Sequence, residues 1–247
     1  MIEIFSKKSG LLVRDIFFAT KEVSCDIKRD IDIYSLCSSP IFGSTPSLMH
    51  TVDLSQDENV LFRRLSETHR RGVRRAVDTE GLIVDIDFAP TIETVESFKI
   101  FFNNFATFKG IPRANAAKLE ALRSSGNFFI AYAHKNNEKS PFVMFSFISD
   151  GYNVYHYQGS TLPRVGNESI LIGRASRLLH WQMMLTMKKR GMKIYNLGNL
   201  LCDPENEGLN KFKRQFGGVD SETYNVKHGV SRLGKLALGV SNLLNRR

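Results

Sequence analysis

Apolar and polar positions alternate along this chain with two different periods, and the switches between them mark its elements. Residues 1–50 read as short strands and turns, alternating at Val23-Ser24-Cys25-Asp26-Ile27 and at Ile31-Asp32-Ile33-Tyr34. Ser38-Ser39-Pro40 and Gly43-Ser44-Thr45-Pro46-Ser47 are loops by composition. A capping box at Ser55-Gln56-Asp57-Glu58 predicts a helix that runs from there toward Asp78. Leu82 to Phe88 then alternates as a strand does. A helix follows Pro90-Thr91 and carries Phe98, Phe101, Phe102, Phe105 and Phe108 at the spacing of one buried face, ending at Gly110. That stripe is read as core packing rather than as a stacking platform. A second helix spans about Ala114 to Ser125 and stops at Gly126.

Three apolar runs come next, at Phe128–Tyr132, Phe142–Ile148 and Tyr152–Gln158. The polar turns between them predict an antiparallel meander. A long helix from about Asn167 to Arg190 places Leu171, Ala175, Leu178 and Leu185 on one face, with Gly191 as its stop. The strand Lys193–Leu197, a short helix within Asn210–Gly218 and a strand near Glu222–Val226 complete the pattern. The stretch from Ser231 to Arg247 reads as a small amphipathic basic helix.

Composition narrows the classes. At 247 residues and 42% hydrophobic content, the chain can bury a sizeable core. It has no apolar run that would span a bilayer, and its start lacks the basic-then-apolar order of a signal peptide, so a cytoplasmic, bacterial-style protein is expected. Cys25, Cys37 and Cys202 are too widely spaced for a disulfide framework or a zinc site, and the six His never fall at HxxxH spacing; no metal is expected. The net charge of +9 favours polyanionic partners without choosing among nucleic acid, phosphorylated substrates and acidic membrane surfaces.

Three constellations carry candidate chemistry. In Asn210-Lys211-Phe212-Lys213-Arg214-Gln215-Phe216-Gly217-Gly218, a helix would turn both Phe rings into a core and leave the cations toward solvent or a ligand. Lys213, ordered by Phe212, suits a phosphate or a developing oxyanion; an ordinary basic face is the plainer reading. In the helix after Ser55, Arg63, Arg70 and Arg74 form one stripe and Arg64, Arg71 and Arg75 the next, with Glu67 as the local acid. Guanidinium forks at that density suit a diphosphate or an RNA backbone, against the alternative of a solvated face. Gly72 weakens this helix and points to the close approach of another group. The third constellation is Tyr157-Gln158-Gly159-Ser160 with Arg164 to Ser169, where a helix start would suit a pyrophosphate and Asn167 would equally serve as a plain cap. His156 reads as a hydrogen-bonded structural histidine, and Trp181, Met183, Met184 and Met187 as core fillers. Asp203-Pro204-Glu205 suits either a helix cap or the holding of an amine.

From residue 82 onward the element order is that of the acyltransferase fold of the GCN-related N-acetyltransferase superfamily. Leu179-His180-Trp181, Lys188-Lys189-Arg190-Gly191, Tyr195-Asn196-Leu197-Gly198, the run Gly208 to Gly218 and the basic stretch Leu65 to Ala76 resemble Fem-type transferases over roughly residues 50 to 226. Those enzymes add amino acids from aminoacyl-tRNA to peptidoglycan precursors. The resemblance implies an α/β (α+β) fold with a mixed, largely antiparallel sheet flanked by helices. It also implies a reduced N-terminal acyltransferase-like half over 1–88, a catalytic domain over 89–230 and a basic helix over 231–247. It places Lys213 and Phe212 where the family handles its donor; the three constellations supply Arg70, Arg71, Arg74, Lys211, Arg164 and Tyr157 as substrate- or phosphate-binding candidates. No heptad run supplies the coiled-coil arm of some members, and the Arg164 loop departs from the pattern of coenzyme A users.

The implied function is transfer of an acyl or aminoacyl group to an amine, in cell-envelope or surface-polysaccharide assembly. The donor would be aminoacyl-tRNA or acyl-CoA, as a co-substrate rather than a bound cofactor. The acceptor amine would sit on a nucleotide sugar, a lipid-linked precursor or a peptide. An acyl-CoA- or carrier-protein-dependent N-acyltransferase acting on an amino sugar is one alternative, and a non-catalytic RNA- or anion-binding module is another. The C-terminal helix suits peripheral contact with a membrane as well as packing against the domain.

Overall fold

The computed structural model describes residues 1–136, 138, 140–163 and 168–244, the last three of these through their backbone alone. In chain order the elements are strands β1 (Ile2–Lys8), β2 (Leu11–Phe17), β3 (Ile31–Cys37) and β4 (Thr45–Asp53), then helices α1 (Glu58–Arg64) and α2 (Glu67–Asp78) and strand β5 (Leu82–Asp87). Helices α3 (Ile92–Lys109) and α4 (Ala116–Ser124) precede the meander β6 (Phe128–Lys135), β7 (Val143–Ser149) and β8 (Asn153–Thr161). The long helix α5 (Glu168–Lys189), strand β9 (Ile194–Asn199), helix α6 (Glu207–Arg214), strand β10 (Val219–Gly229) and helix α7 (Arg232–Leu244) follow. The chain is therefore mixed α/β with largely antiparallel strand pairing, as expected.

Two compact units share the chain, and both are discontinuous. One comprises Met1–Leu48, Asn115–Ser125 and Ser221–Arg247, and the other Met49–Ala114 and Gly126–Asp220. Their boundaries fall elsewhere than the expected divisions after residues 88 and 230. The helices α3 and α4, adjacent in sequence, belong to different units.

In the first unit the strand order is β1-β2-β3-β10. The β1–β2 and β3–β10 pairs are antiparallel, and β2–β3 is parallel. Parallel neighbours need a crossover, commonly a helix. Here residues 18–30 cross without one. The alternating stretch Val23–Ile27, expected as a strand, is irregular because side chains take its carbonyls. Arg14, fully buried, donates to Val23 O at 2.9 Å and to Ser24 O, while Arg29 donates to Cys25 O and Ile27 O. Both guanidinia also clasp Asp32. Arg14 Nε and Nη2 reach its two oxygens at 2.9 and 2.7 Å, and Arg29 Nε and Nη2 at 2.5 and 2.8 Å. Burial alone would raise the Asp32 pKa, but the paired guanidinia outweigh it and hold the carboxyl below its usual range.

The second unit's strands run β4-β9-β8-β7-β6-β5. All neighbours are antiparallel except β8 and β9. Its core includes Trp181, Met183, Met184 and Met187 of α5 against Phe129, Phe145 and Phe147 of the meander. In α3, Phe98 and Phe102 are buried, whereas Phe108 is largely exposed. Thr91 caps this helix by accepting from Thr94 N, and Gly110, left-handed at φ 65°, ends it.

One expected helix divides in two. Ser55 bonds Asp53, and Asp57 caps α1 instead. Leu65 then leaves helical geometry and Ser66 starts α2, accepting from His69 N at 3.2 Å. The break is tertiary in origin, because the Ser66 N–H is taken by Gln215 O at 2.9 Å. Gly217 fits against Arg64, where a Cβ would lie 2.8 Å from that residue's own Cβ.

Candidate active site

Strands β8 and β9 run parallel through Asn153–Ile194, Val154–Tyr195 and Tyr155–Asn196, and there the pairing stops although both strands continue. A bulge in β8 contributes to the parting: opposite β7 the register shifts between Ser146 and Phe147, whose partners are Gln158 and His156. Tyr157 is the extra residue. A bulge re-aims side chains, and around this one each strand carries polar groups without partners. His156 Nε2 and Gln158 Oε1 on β8, and Asn199 Oδ1 at the end of β9, are buried with no hydrogen-bond partner among the described residues. Buried polar atoms are nearly always paired, so three at one splay make it a candidate place for water or a ligand.

Lys213 reaches the same place from α6. Its ammonium donates to Asn199 O at 2.5 Å and lies within 3.7 Å of the position a Cβ would take on Gly198. The sequence pattern expected the cations of this helix to face solvent or a ligand. Lys211 and Arg214 are exposed, but Lys213 is buried. Burial lowers its pKa to about 8, so near neutral pH it remains mostly charged. Phe216 is buried and Phe212 half-buried, with ring centroids 5.3 Å apart.

Behind them lies a layer of imidazoles whose packing together no spacing in the sequence shows. His69, His156 and His180 pack among Phe145, Phe147, Phe212 and Phe216, with His156 and His180 centroids 4.9 Å apart. His180 Nδ1 pairs with Tyr195 Oη at 2.8 Å. Burial first, then nearby Arg177, pushes the His69 pKa down to about 3. Burial first, then Lys213, does the same for His156, and burial holds His180 well below its ordinary value. All three are neutral imidazoles at physiological pH; His156 is hydrogen-bonded to the backbone of Gln158 and Leu197, as expected, and only its Nε2 is left without a partner.

The basic helix contributes a groove. Arg71 and Arg75 of α2 face Gly173, Arg174 and Arg177 of α5 across a cavity of about 540 Å³. Gly72 is what lets the helices close: a Cβ there would stand 2.7 Å from Arg177 Cδ. Arg177 continues inward, with Nε 3.4 Å from His69 Nδ1 and its guanidinium 5.7 Å from the Phe212 ring centroid. It thus joins the groove to the Lys213 helix.

The other candidates are differently employed. Arg70 caps α1, donating to Arg63 O at 2.8 Å and to Leu65 O, and Arg74 lies over the Phe62 ring. Arg63 and Arg64 belong to α1, so the six arginines do not form two continuous stripes. Asp203 makes no side-chain cap to the 3-10 turn that leads into α6. Arg164 and Asn167 lie outside the described residues.

No family model matches the sequence, and no curated protein matches it. Solved structures match the fold. FemX superposes with a TM-score of 0.57 at 12% identity, covering 72% of this chain and 61% of its own. L-PGS from Bacillus licheniformis gives 0.57 at 14% identity, covering 99% of this chain and 86% of its own. The C-terminal domain of a putative lysylphosphatidylglycerol synthetase from Agrobacterium fabrum gives 0.54 at 13%, covering 87% and 72%. The chain thus shares the fold of FemX and of these synthetase structures. The chain spans about three-fifths of FemX.

Proposed function

We propose that the protein transfers an acyl or aminoacyl group to an amine at the β8–β9 splay. The observation that carries this reading is the buried, charged Lys213 held at the splay by Asn199 O. An ammonium has three N–H donors, and Asn199 O takes one of them. In a site shielded from water, another donor directed at a carbonyl oxygen stabilises the oxyanion that forms when an amine attacks. The acceptor nitrogen bonds to the carbonyl carbon, and the bond to the departing ester oxygen or thioester sulfur breaks. The proton shed by the nitrogen passes to that leaving group. Phe212 and Phe216 fix α6, and through it the ammonium, by packing against the imidazole layer.

The arginine groove between α2 and α5 supports a phosphate-bearing donor, aminoacyl-tRNA or acyl-CoA, with Arg71, Arg75 and Arg177 taking its phosphates. An acceptor in cell-envelope or polysaccharide assembly accords with the Fem-like fold.

A thermal-shift panel of charged tRNA, acetyl-CoA and longer acyl-CoAs, run on wild type and Lys213→Ala, selects the donor. Transfer to an amine acceptor is then assayed with that donor. The expected result is transfer by the wild type and none by the folded variant. Wild-type turnover from Lys213→Ala would refute the proposal. Salt-sensitive RNA binding with no transfer from any donor would favour the anion-binding module instead.

A further inference from the structure

Helix α7 exposes an apolar stripe. Leu233, Leu236 and Val240 are 64, 67 and 50% exposed, at the i, i+3, i+7 spacing of one helical face. The side of α7 that packs is a different one: a Cβ on Gly234 would lie 1.9 Å from Asp30 O, so this turn sits hard against the backbone of its own unit. Between stripe and packed side stand Arg232 and Lys235, both exposed. Residues 223–247 hold Lys227, Arg232, Lys235, Arg246 and Arg247 and no Asp or Glu. Asp30, beside the helix start, is already engaged by Ser231 Oγ at 2.6 Å and Leu12 N at 2.9 Å. A second apolar tip lies in the same unit. Phe42, 86% exposed, has its carbonyl held by His228 Nε2 at 2.9 Å, and the next residue, Gly229, packs on Lys235.

We infer that α7 is a docking surface for an anionic lipid bilayer, lying in the interface plane with Leu233, Leu236 and Val240 in the acyl boundary and Arg232 and Lys235 among the headgroups. A helix of 13 residues is about 20 Å long, too short for a bilayer core of about 30 Å, so it lies on the membrane rather than crossing it. Among the described residues no helix is long and apolar enough to span one. A second copy of this chain is a poorer occupant. Three aliphatic side chains fall well short of the roughly 800 Å² per partner that a stable interface buries. Two such helices would also bring cations against cations with no acid to pair them.

The test is flotation of the full chain with vesicles of phosphatidylcholine alone and of equal parts phosphatidylcholine and phosphatidylglycerol, at low and high salt. Wild type is expected to float with the mixed vesicles at low salt and not with phosphatidylcholine alone. The bound fraction should fall about tenfold in Leu233→Ser/Leu236→Ser and in Arg232→Glu/Lys235→Glu, with unchanged thermal melts. Lys213→Ala should float as wild type does, which separates this surface from the transfer site. No flotation of the wild type, or flotation untouched by either double variant, would overturn the inference. So would a lipid-free dimer in sedimentation that the Leu variant dissolves.

Discussion

The Lys213 ammonium and the backbone oxygen of Asn199 meet at 2.5 Å just where β9 has parted from β8. This one contact fixes a buried charge beside three polar atoms that lack partners. Replacing Lys213 by Met keeps the stem and removes the charge. Turnover should fall at least about a hundredfold, the scale of losing one oxyanion donor. The thermal melt should hold or rise, since a desolvated charge has been removed. A melt lowered by many degrees would show instead that Lys213 is chiefly structural.

The lowered lysine pKa sets the alkaline limb of activity. Lys213 is charged below about pH 8 and neutral above it, so a rate that needs the ammonium should decline as pH rises through that value. The acceptor amine acts in the opposite sense, gaining nucleophilicity as it loses its proton. Profiles measured with acceptors of different basicity should therefore move the acid limb and leave the alkaline limb in place.

Acid should destabilise the second unit early. His69 and His156 are held to about pKa 3, against an ordinary 6.5, and His180 also lies well below its ordinary value. The unfolded chain then binds more protons than the folded one at any pH between those values. Stability is full above about pH 6.5 and falls progressively as pH drops toward 3. The slope is about 1.4 kcal/mol per pH unit for each such histidine. Denaturant midpoints measured from pH 7 to 5 should drop, and His69→Phe should flatten the decline.

Gly218 is fixed by space as well as by conformation. Its φ is 101°, and a Cβ would stand 2.1 Å from Thr51 O, a backbone atom that cannot swing aside. Gly218→Ala should cost at least about 3 kcal/mol in chemical denaturation. Gly110→Ala provides the contrast. That site is left-handed but has no atom within 4 Å of the added carbon, so only about 1 kcal/mol is expected.

Asp32→Asn addresses the clasp in the first unit. The change leaves the guanidinium of fully buried Arg14 without its bidentate partner and with Glu3, 3.6 Å away, as its remaining counter-charge, for a loss of about 3 kcal/mol. The crossover over residues 18–30 should then become susceptible to proteolysis, since the same two arginines hold its carbonyls.

The sequence by itself determined the elements and their order from residue 82 onward. The β6–β8 meander, α3 with its Thr91 and Gly110 ends, and the Met and Trp filling of α5 follow from spacing and punctuation that act over a few residues. The pairing of Phe212 with Phe216, and the close approach at Gly72, were legible for the same reason. What only the tertiary structure decided depends on partners far away in the chain. Leu65 leaves the helix because Gln215 takes the next N–H. Val23–Ile27 is no strand because Arg14 and Arg29 bind its carbonyls in place of a neighbouring strand. Lys213 points inward because the end of β9 offers Asn199 O to a buried ammonium, and no pattern of charges along α6 contains that acceptor. Side-chain period is a property of one element, whereas burial of a charge and the parting of two strands are properties of several elements together.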